Sequence, residues 1–556
     1  MRCLMSTKYI FVTGGVVSGL GKGITAAALG RLLIARGLTV RIQKFDPYIN
    51  VDPALMNPTQ HGEIFITEDG AETDLDIGHY ERFTDVNLSR ESDITSGKVY
   101  LDVISRERAG GYHGGTVQVV PHVINEIKEH VFQVSREGNP DVVIAEIGGT
   151  VGDMEGQPFI EAIRQVSYQV GRENVLFIHV TLLPFLSKTR ELKTKPTQHS
   201  VQKLLSFGVQ PDILVCRTEV PFDQGLKQKL ALYCNVKEEA VIQNLDCDSV
   251  YELPLLLEQE GLARVVCNHL GIAQYVEPDL SGWKDLVARI RAARKPLNIS
   301  LVGKYTELFD AYYSVTEALD HASITHGAIP NIDWVAAEDL EGLTPTEVEE
   351  RFRESDAILV PGGFGPRGME GMIAAATAAR TKQIPYLGLG LGMQMAVVEI
   401  ARNVAGIRDA HTDECEMPCS DIFYYAGLTE EMTNNLTKIP YSAQPMRIGS
   451  YPMKLEKGSA LATIYKTLET KERHHHRREL NPAFQATLSA TGLKFSGTSP
   501  DGLLVEAFEY PEHPFFVGII SHPEFKSRPY RPHPLFDELI RKALTHRKIR
   551  EEVKVE

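Results

Sequence analysis

The run FVTGGVVSGLGKGI, residues 11–24, sets glycines and one lysine between an apolar strand and a helical stretch. Glycines let backbone N–H groups approach a polyphosphate, a helix N-terminus adds partial positive charge, and Lys22 adds a full one. Ser18, Gly19, Leu20, Gly21, Lys22, Gly23 and Ile24 are therefore expected to hold a nucleoside triphosphate. The loop departs from strict GxxxxGK[ST], because Val16 takes the first glycine's place and Gly23 follows the lysine. A metal-facing hydroxyl is then expected from Ser18 or Thr25. Asp74 and Asp76 share one face at strand spacing, and Glu146 ends the apolar run VVIAEIGG. Carboxylates at the carboxyl ends of parallel strands beside a phosphate loop suit Mg²⁺; taken singly, each fits a solvated strand-end charge as well. ELKTKPTQHS places Lys193 and Lys195 on one side of an extended segment, followed by Thr197 and Gln198, a set suited to a second triphosphate.

A different chemistry is suggested by PYLGLGLGMQ, residues 385–394. A strand over 384–389, a sharp glycine bend and a helix from Met393 form an elbow of the kind that presents a Ser or Cys nucleophile. The residue at its apex is Gly390, which has nothing to present.

These residues need parallel sheets to position them. Strands at 9–12, 39–42, 141–147, 175–180 and 211–216 alternate with helical stretches, and after SGWKDLVARIRAARKP the alternation restarts with LNISLVGKY and DAILVPGGFG. The expected architecture is α/β with two doubly wound parallel-sheet domains. The first spans 1–275, a linker 276–297, the second 298–546 and a tail 547–556. A chain of 556 residues with net charge -15 has no broad nucleic-acid footprint, so any phosphate chemistry is local. The seven cysteines form no CxxC pair, and CEMPC (Cys415, Cys419) is read as two reduced thiols. No signal-peptide pattern and no run of 18 apolar residues occurs, so a cytoplasmic protein with no membrane partner is expected. HHH, residues 474–476, is read as a solvated turn.

Read in order, KFDPYINVDP, QHGEIFITEDGAETDLDIGHYERF, TVQVVPH, EIGGTVGD, KTKPTQHSVQ, PDILVCR, GKYTELFDAY, PGGFGPRGMEGMI and HPEFKSRP resemble the CTP synthase family over residues 8–545. The resemblance implies a P-loop-like synthetase domain that uses ATP to phosphorylate O4 of UTP, ammonia then displacing the phosphate. It also implies a class I glutamine amidotransferase domain that makes the ammonia. By the same resemblance Lys22 and Lys44 serve ATP and phosphoryl transfer, Asp76 and Glu146 hold Mg²⁺, and Lys193, Lys195, Gln198 and Lys229, with Ser18, hold the pyrimidine nucleotide. A homotetramer, GTP as effector and CTP as feedback inhibitor are implied too.

The family's elbow reads Gly-Ile-Cys-Leu-Gly-Met-Gln, so Gly390 stands where the Cys nucleophile belongs, while His522 and Glu524 stand where its partners belong. Without a thiolate no γ-glutamyl intermediate forms, and glutamine hydrolysis is expected to be absent. Gly363, Gln394 and Glu414 occupy positions that contact glutamine in the family, and His475 replaces the family's carboxylate-binding Arg. AQPMRIG (Ala443 to Gly449), Gly111, His113, Arg190, Ala54 and Leu55 depart as well. An engineered Cys-to-Gly change and a natural loss both fit Gly390; dispersed departures favour the natural one. The expected function is an ATP-dependent ligase using ammonia or another amine. A specialised-metabolism paralogue with a different acceptor or amine, and a nucleotide-binding regulatory pseudoenzyme that assembles with an active CTP synthase, are the alternatives.

Overall fold

A computed structural model describes residues 7–272, 276–415, 418–425 and 446–555. Cys3 and Ala443 lie outside the described residues. The chain divides into two compact units, Met1–Ala54 with Thr73–Val287, and Leu55–Glu72 with Ala288–Glu556. The second unit thus takes in a segment from the first hundred residues, which no sequence pattern announced.

The first unit is built on seven parallel strands: β1 (Lys8–Gly14), β2 (Val40–Asp46), β3 (Asp93–Thr95), β4 (Val142–Ile147), β5 (Val175–Leu182), β6 (Ile213–Thr218) and β7 (Val241–Leu245). Their order is β7-β6-β5-β1-β4-β2-β3. β4 is buried at every position, which is why its sequence is continuously apolar up to Glu146. Helices α1 (Lys22–Ile34), α2 (Asp76–Thr84), α3 (Ser96–Arg108), α4 (Ile124–Arg136), α5 (Lys195–Ser206) and α6 (Gln224–Cys234) accompany this sheet. Asp76 opens a helix and Asp74 precedes it, so neither lies on the strand that their spacing suggested. Lys195 likewise opens α5, with Pro196 at its first turn, instead of continuing an extended segment. The stretch expected as a linker holds α7 (Ser281–Ala292), whose Trp283 is 1% exposed and packs on Phe83 and Tyr251.

The second unit carries β8 (Lys295–Gly303), β9 (Ala328–Ala336), β10 (Ala357–Val360), β11 (Tyr386–Leu389), β12 (Arg447–Leu455), β13 (Glu469–His476), β14 (Lys494–Thr498), β15 (Val505–Glu509) and β16 (Phe516–Ile519). The order is β9-β8-β10-β11-β16-β15-β14-β12-β13, parallel as far as β16 and antiparallel beyond it. The protein is α/β, as expected, but the second sheet is mixed. Helices α8 (Tyr313–His326), α9 (Met369–Lys382), α10 (Leu391–Asn403) and α11 (Pro534–Val555) belong to this unit. Apolar cores line both faces, α9 and α10 on one, α8 and α11 on the other. α11 runs on through the segment expected as a tail.

Candidate functional site

In the first unit, the register of the sheet sets Asp93, Lys44 and Glu146 side by side, at the start of β3 and near the carboxyl ends of β2 and β4. Lys44 is 7% exposed and donates to Asp74 Oδ1 at 2.6 Å and Asp76 Oδ2 at 2.5 Å, with Asp46 Oδ1 at 3.7 Å. Asp74 and Asp76 therefore do converge, through α2's first turn instead of strand spacing. Burial opposes the charge on Lys44, yet Asp46, Asp74, Asp76 and Glu146 together hold its ammonium pKa well above the ordinary value. Asp76 feels the same pair in reverse: burial works to raise it, and Lys44 prevails and brings it below the usual range. Burial pushes Glu146 up, and burial with the neighbouring Asp74 lifts Asp93 to about 7.

Lys22, at the start of α1, donates to the Gly149 carbonyl at 2.9 Å and stands 3.8 Å from Glu146. Gly23 is required beside it, because a Cβ there would lie 2.7 Å from Asp76 Oδ1. Of the two expected hydroxyls, Thr25 is corrected: its Oγ1 donates to the Gly21 carbonyl at 2.7 Å, closing the first turn of the helix, while Ser18 stays exposed on the loop with Gly19. Arg217 reaches the Gly19 carbonyl at 3.1 Å. Leu20 is buried, anchoring the loop between Gly19 and Gly21, and Ile24 sits partly buried on α1. Beneath the loop, Thr13 Oγ1, the His179 ring and Ser200 Oγ form a buried chain with bonds of 2.8 and 2.7 Å. Burial, helped by Lys22, drops His179 to about 3, so the ring is neutral. Sequence reading had missed it.

The carboxylates of Asp46, Asp74, Asp76, Asp93 and Glu146 outnumber the two ammonium groups, and Asp46 Oδ2 and Asp93 Oδ1 are buried without a hydrogen bond. A surplus of buried negative charge with orphaned oxygens fits a hard dication bound to oxygen ligands. Asp76 and Glu146 would hold Mg²⁺ there, and the positive charge would come to the phosphates of a bound nucleotide. The lysines expected at a second triphosphate are less gathered. Lys193 is ion-paired with Glu191, Lys195 is exposed, Gln198 is buried and bonded to Thr194 Oγ1 at 3.1 Å, and Lys229 lies on the exposed face of α6.

In the second unit, β11 runs into Gly390, which has φ 52 and ψ -112 and leads into α10. Its N–H is pinned to the Ile519 carbonyl at 2.9 Å. A Cβ built at Gly390 would lie 3.2 Å from His522 Nε2 and 3.4 Å from Gly362 Cα. His522 Nδ1 is 2.7 Å from Glu524 Oε1, so the imidazole is oriented toward the apex of the bend. A cavity lined by Gly363, Phe364, Gln394, Glu414, His475 and Tyr305 opens here. Gln394 Oε1 is buried without a partner; Glu414 accepts from the Gly365 N–H at 2.8 Å and pairs with Arg478 at 3.2 Å.

The three histidines 474–476 are corrected outright: they end strand β13 and are 1%, 9% and 4% exposed. His474 Nδ1 meets His476 Nε2 at 2.9 Å, while His475 points the other way and bonds Glu72 Oε1 at 2.7 Å. Burial lowers His475 although Glu72 works to raise it. Lys304, at the end of β8, was also unforeseen; it donates to the Phe364 and Gly365 carbonyls, and burial lowers it to about 8. Its place at the carboxyl end of a parallel strand was the available signal. Cys419 Sγ lies 3.2 Å from Asp421 Oδ1, and no cluster of metal-binding groups includes it among the described residues.

Residues 8–272 match the family model described as CTP synthase N-terminus, and residues 307–542 match glutamine amidotransferase class-I. A CTP synthase of Ruminiclostridium cellulolyticum is 55% identical over 546 residues, covering 98% of this chain and 100% of the relative. One from Pelotomaculum thermopropionicum is 54% identical over 543 residues, 98% of this chain and 99% of the relative. Among solved structures, the glutaminase domain of Trypanosoma brucei CTPS with bound acivicin is 35% identical, with a TM-score of 0.41, over 45% of this chain and 94% of that one.

Proposed function

Because the chain belongs to the CTP synthase family, whose members are C–N bond-forming ligases, we propose that it aminates UTP with free ammonia or another small amine and does not draw nitrogen from glutamine. The carrying observation is Gly390, a residue without a side chain at the apex of an elbow that His522 and Glu524 still face. Amide hydrolysis at such a site begins with attack by a side-chain sulfur on the carboxamide carbon. His522 can take a proton, but no thiol stands within its reach at position 390 to give one.

In this reading the synthetase unit works as its relatives' name implies. ATP's γ-phosphoryl group passes to O4 of UTP, a C4–N bond forms as the amine attacks, and inorganic phosphate leaves. Lys22 and Lys44 neutralise the transferring oxygens, with Asp76 and Glu146 toward Mg²⁺. Lys193, Lys195, Gln198 and Lys229 hold the pyrimidine nucleotide only if other groups complete the set. Exposed apolar side chains at Leu101, Ile104, Val119 and Val120 support assembly of several copies, which we assign to a homotetramer, with GTP as effector carried over from the family.

A changed acceptor or amine is a second reading, favoured by Arg190 and His113, which hold φ 53 and 52 in the left-handed region. Non-glycine residues rarely stay there without a compensating contact. The reading of Gly390 is tested by measuring glutamate release from glutamine in the presence of ATP, UTP and GTP. No release above a His522→Ala control is expected; catalysed release that needs His522 would overturn it.

A further inference from the structure

Outside both sets of residues, α3 and α4 bring Asp102, Glu126 and His130 together. Each offers one ligand atom, and these atoms lie within 4.8 Å of one another. His130 is 7% exposed, yet neither ring nitrogen has a close, well-formed hydrogen bond. Nε2 stops 3.5 Å from Asp102 Oδ2, and Nδ1 stops 3.6 Å from Glu91 Oε2. Each ring nitrogen of this buried imidazole thus faces a carboxylate at long range, an uncommonly loose arrangement for a buried polar group. Glu126 lies one turn before His130 on the same face of α4 and is itself buried. Its carboxylate is engaged by Arg106, at 2.7 and 3.1 Å. The Arg106 side chain is half exposed, so it can swing into water when a stronger cation arrives.

We propose that Asp102, Glu126 and His130 form a binding site for a first-row divalent transition ion of the zinc class. One imidazole nitrogen and two carboxylate oxygens supply three ligands and leave a fourth position for water. The imidazole selects zinc, cobalt or nickel over magnesium and calcium, which take oxygen ligands. Glu91 completes the arrangement: with Nε2 on the metal, the Nδ1–H points at Glu91 Oε2, the carboxylate–histidine–metal geometry that fixes tautomer and ring orientation. The ion ties α3 to α4. α3 ends at Arg108, directly before the loop carrying Gly111 and His113, so the metal braces the base of that loop. This site is separate from the Asp76 and Glu146 set and does not depend on the reading of Gly390.

Cobalt(II) is the probe, since its visible bands report nitrogen and oxygen ligation. The full-length protein is stripped with a chelator, and the Asp76→Asn variant is titrated so that the phosphate site does not contribute. One equivalent of Co²⁺ with visible bands is expected. Adding His130→Gln should abolish those bands, and adding Asp102→Asn, at a carboxylate 42% exposed and so harmless to folding, should weaken binding by about tenfold or more. Zinc should raise the melting temperature of Asp76→Asn and leave Asp76→Asn/His130→Gln unmoved. Absence of bands at millimolar Co²⁺, or unchanged titrations in both His130→Gln and Asp102→Asn, would overturn the proposal.

Discussion

Replacing Gly390 by Cys puts a nucleophile at the bend, and the structure sets what should follow. Position 390 has φ 52 and ψ -112, where a side chain costs about 1–3 kcal/mol. The new Cβ would stand 3.2 Å from His522 Nε2, tighter than an ordinary contact, and a ring shift of a few tenths of an ångström relieves it. The variant should therefore fold with a modestly lowered melting temperature. Its sulfur would lie beside an imidazole held by Glu524 at 2.7 Å and at the N-terminus of α10, a setting that lowers a thiol pKa to roughly 4–7. The native thiols differ: burial pushes Cys216 and Cys419 up to about 12 and Cys234 to about 11. Iodoacetamide labelling at a pH about two units below the ordinary thiol value, mapped by mass spectrometry, should modify Cys at 390 at least about tenfold faster than any native cysteine. Glutamine turnover should stay weak, because His475 is bonded to Glu72 and offers no guanidinium to a carboxylate. A missing charge-assisted hydrogen bond is worth about 1.5–3 kcal/mol, or roughly 10–150-fold. Gly390→Cys/His475→Arg should recover about that factor in kcat/KM over Gly390→Cys. A thiol at 390 that labels no faster than Cys415, or a double variant no better than the single one, would refute the reasoning.

Lys44→Met strands Asp74 and Asp76 without their cation. Melting stability should fall by about 3–5 kcal/mol at neutral pH, and turnover by about 10²–10³-fold. Lys44 is what holds Asp76 below the usual range, stabilisation present above the unfolded carboxylate pKa and lost as pH falls through the folded one, so the variant's deficit should close only below about pH 4; a deficit that stays unchanged as pH falls further would argue against the pairing. Asp320 moves oppositely: burial, with Glu317 beside it, raises it to about 7, so the folded state keeps a proton that the unfolded chain releases near 4. Stability should decline as pH rises through that window, and Asp320→Asn should remove the decline, a gain of at most about 4 kcal/mol at pH 8, less where water reaches the side chain. Parallel melting profiles for the two proteins between pH 4 and 8 would contradict this.

What could be read from sequence was local. The glycine loop with Lys22, the bend at Gly390 and the strands before them are contiguous patterns, and the structure keeps them within a residue or two. Pairings across the chain were not readable. His475 and Glu72 lie 403 positions apart, and the stretch expected as a solvated turn is a buried strand end paired with β12. Glu63, Glu68 and Glu72 look like ordinary charges between α1 and α2 of the first unit, yet they belong to the second unit and bond its Ser314, Arg473 and His475. The antiparallel half of the second sheet escaped because its strands are polar and broken, with KERHHH among them, so period and hydrophobicity gave weak signals. Asp74 and Asp76 were grouped correctly for the wrong reason, since a helix start can converge on a lysine as a strand face does.

The most direct measurement is CTP formation from UTP, ATP and Mg²⁺, with ammonium chloride or glutamine as nitrogen source and GTP present in both. The account predicts CTP from ammonia and none from glutamine. CTP from glutamine at a rate comparable to that from ammonia would contradict it.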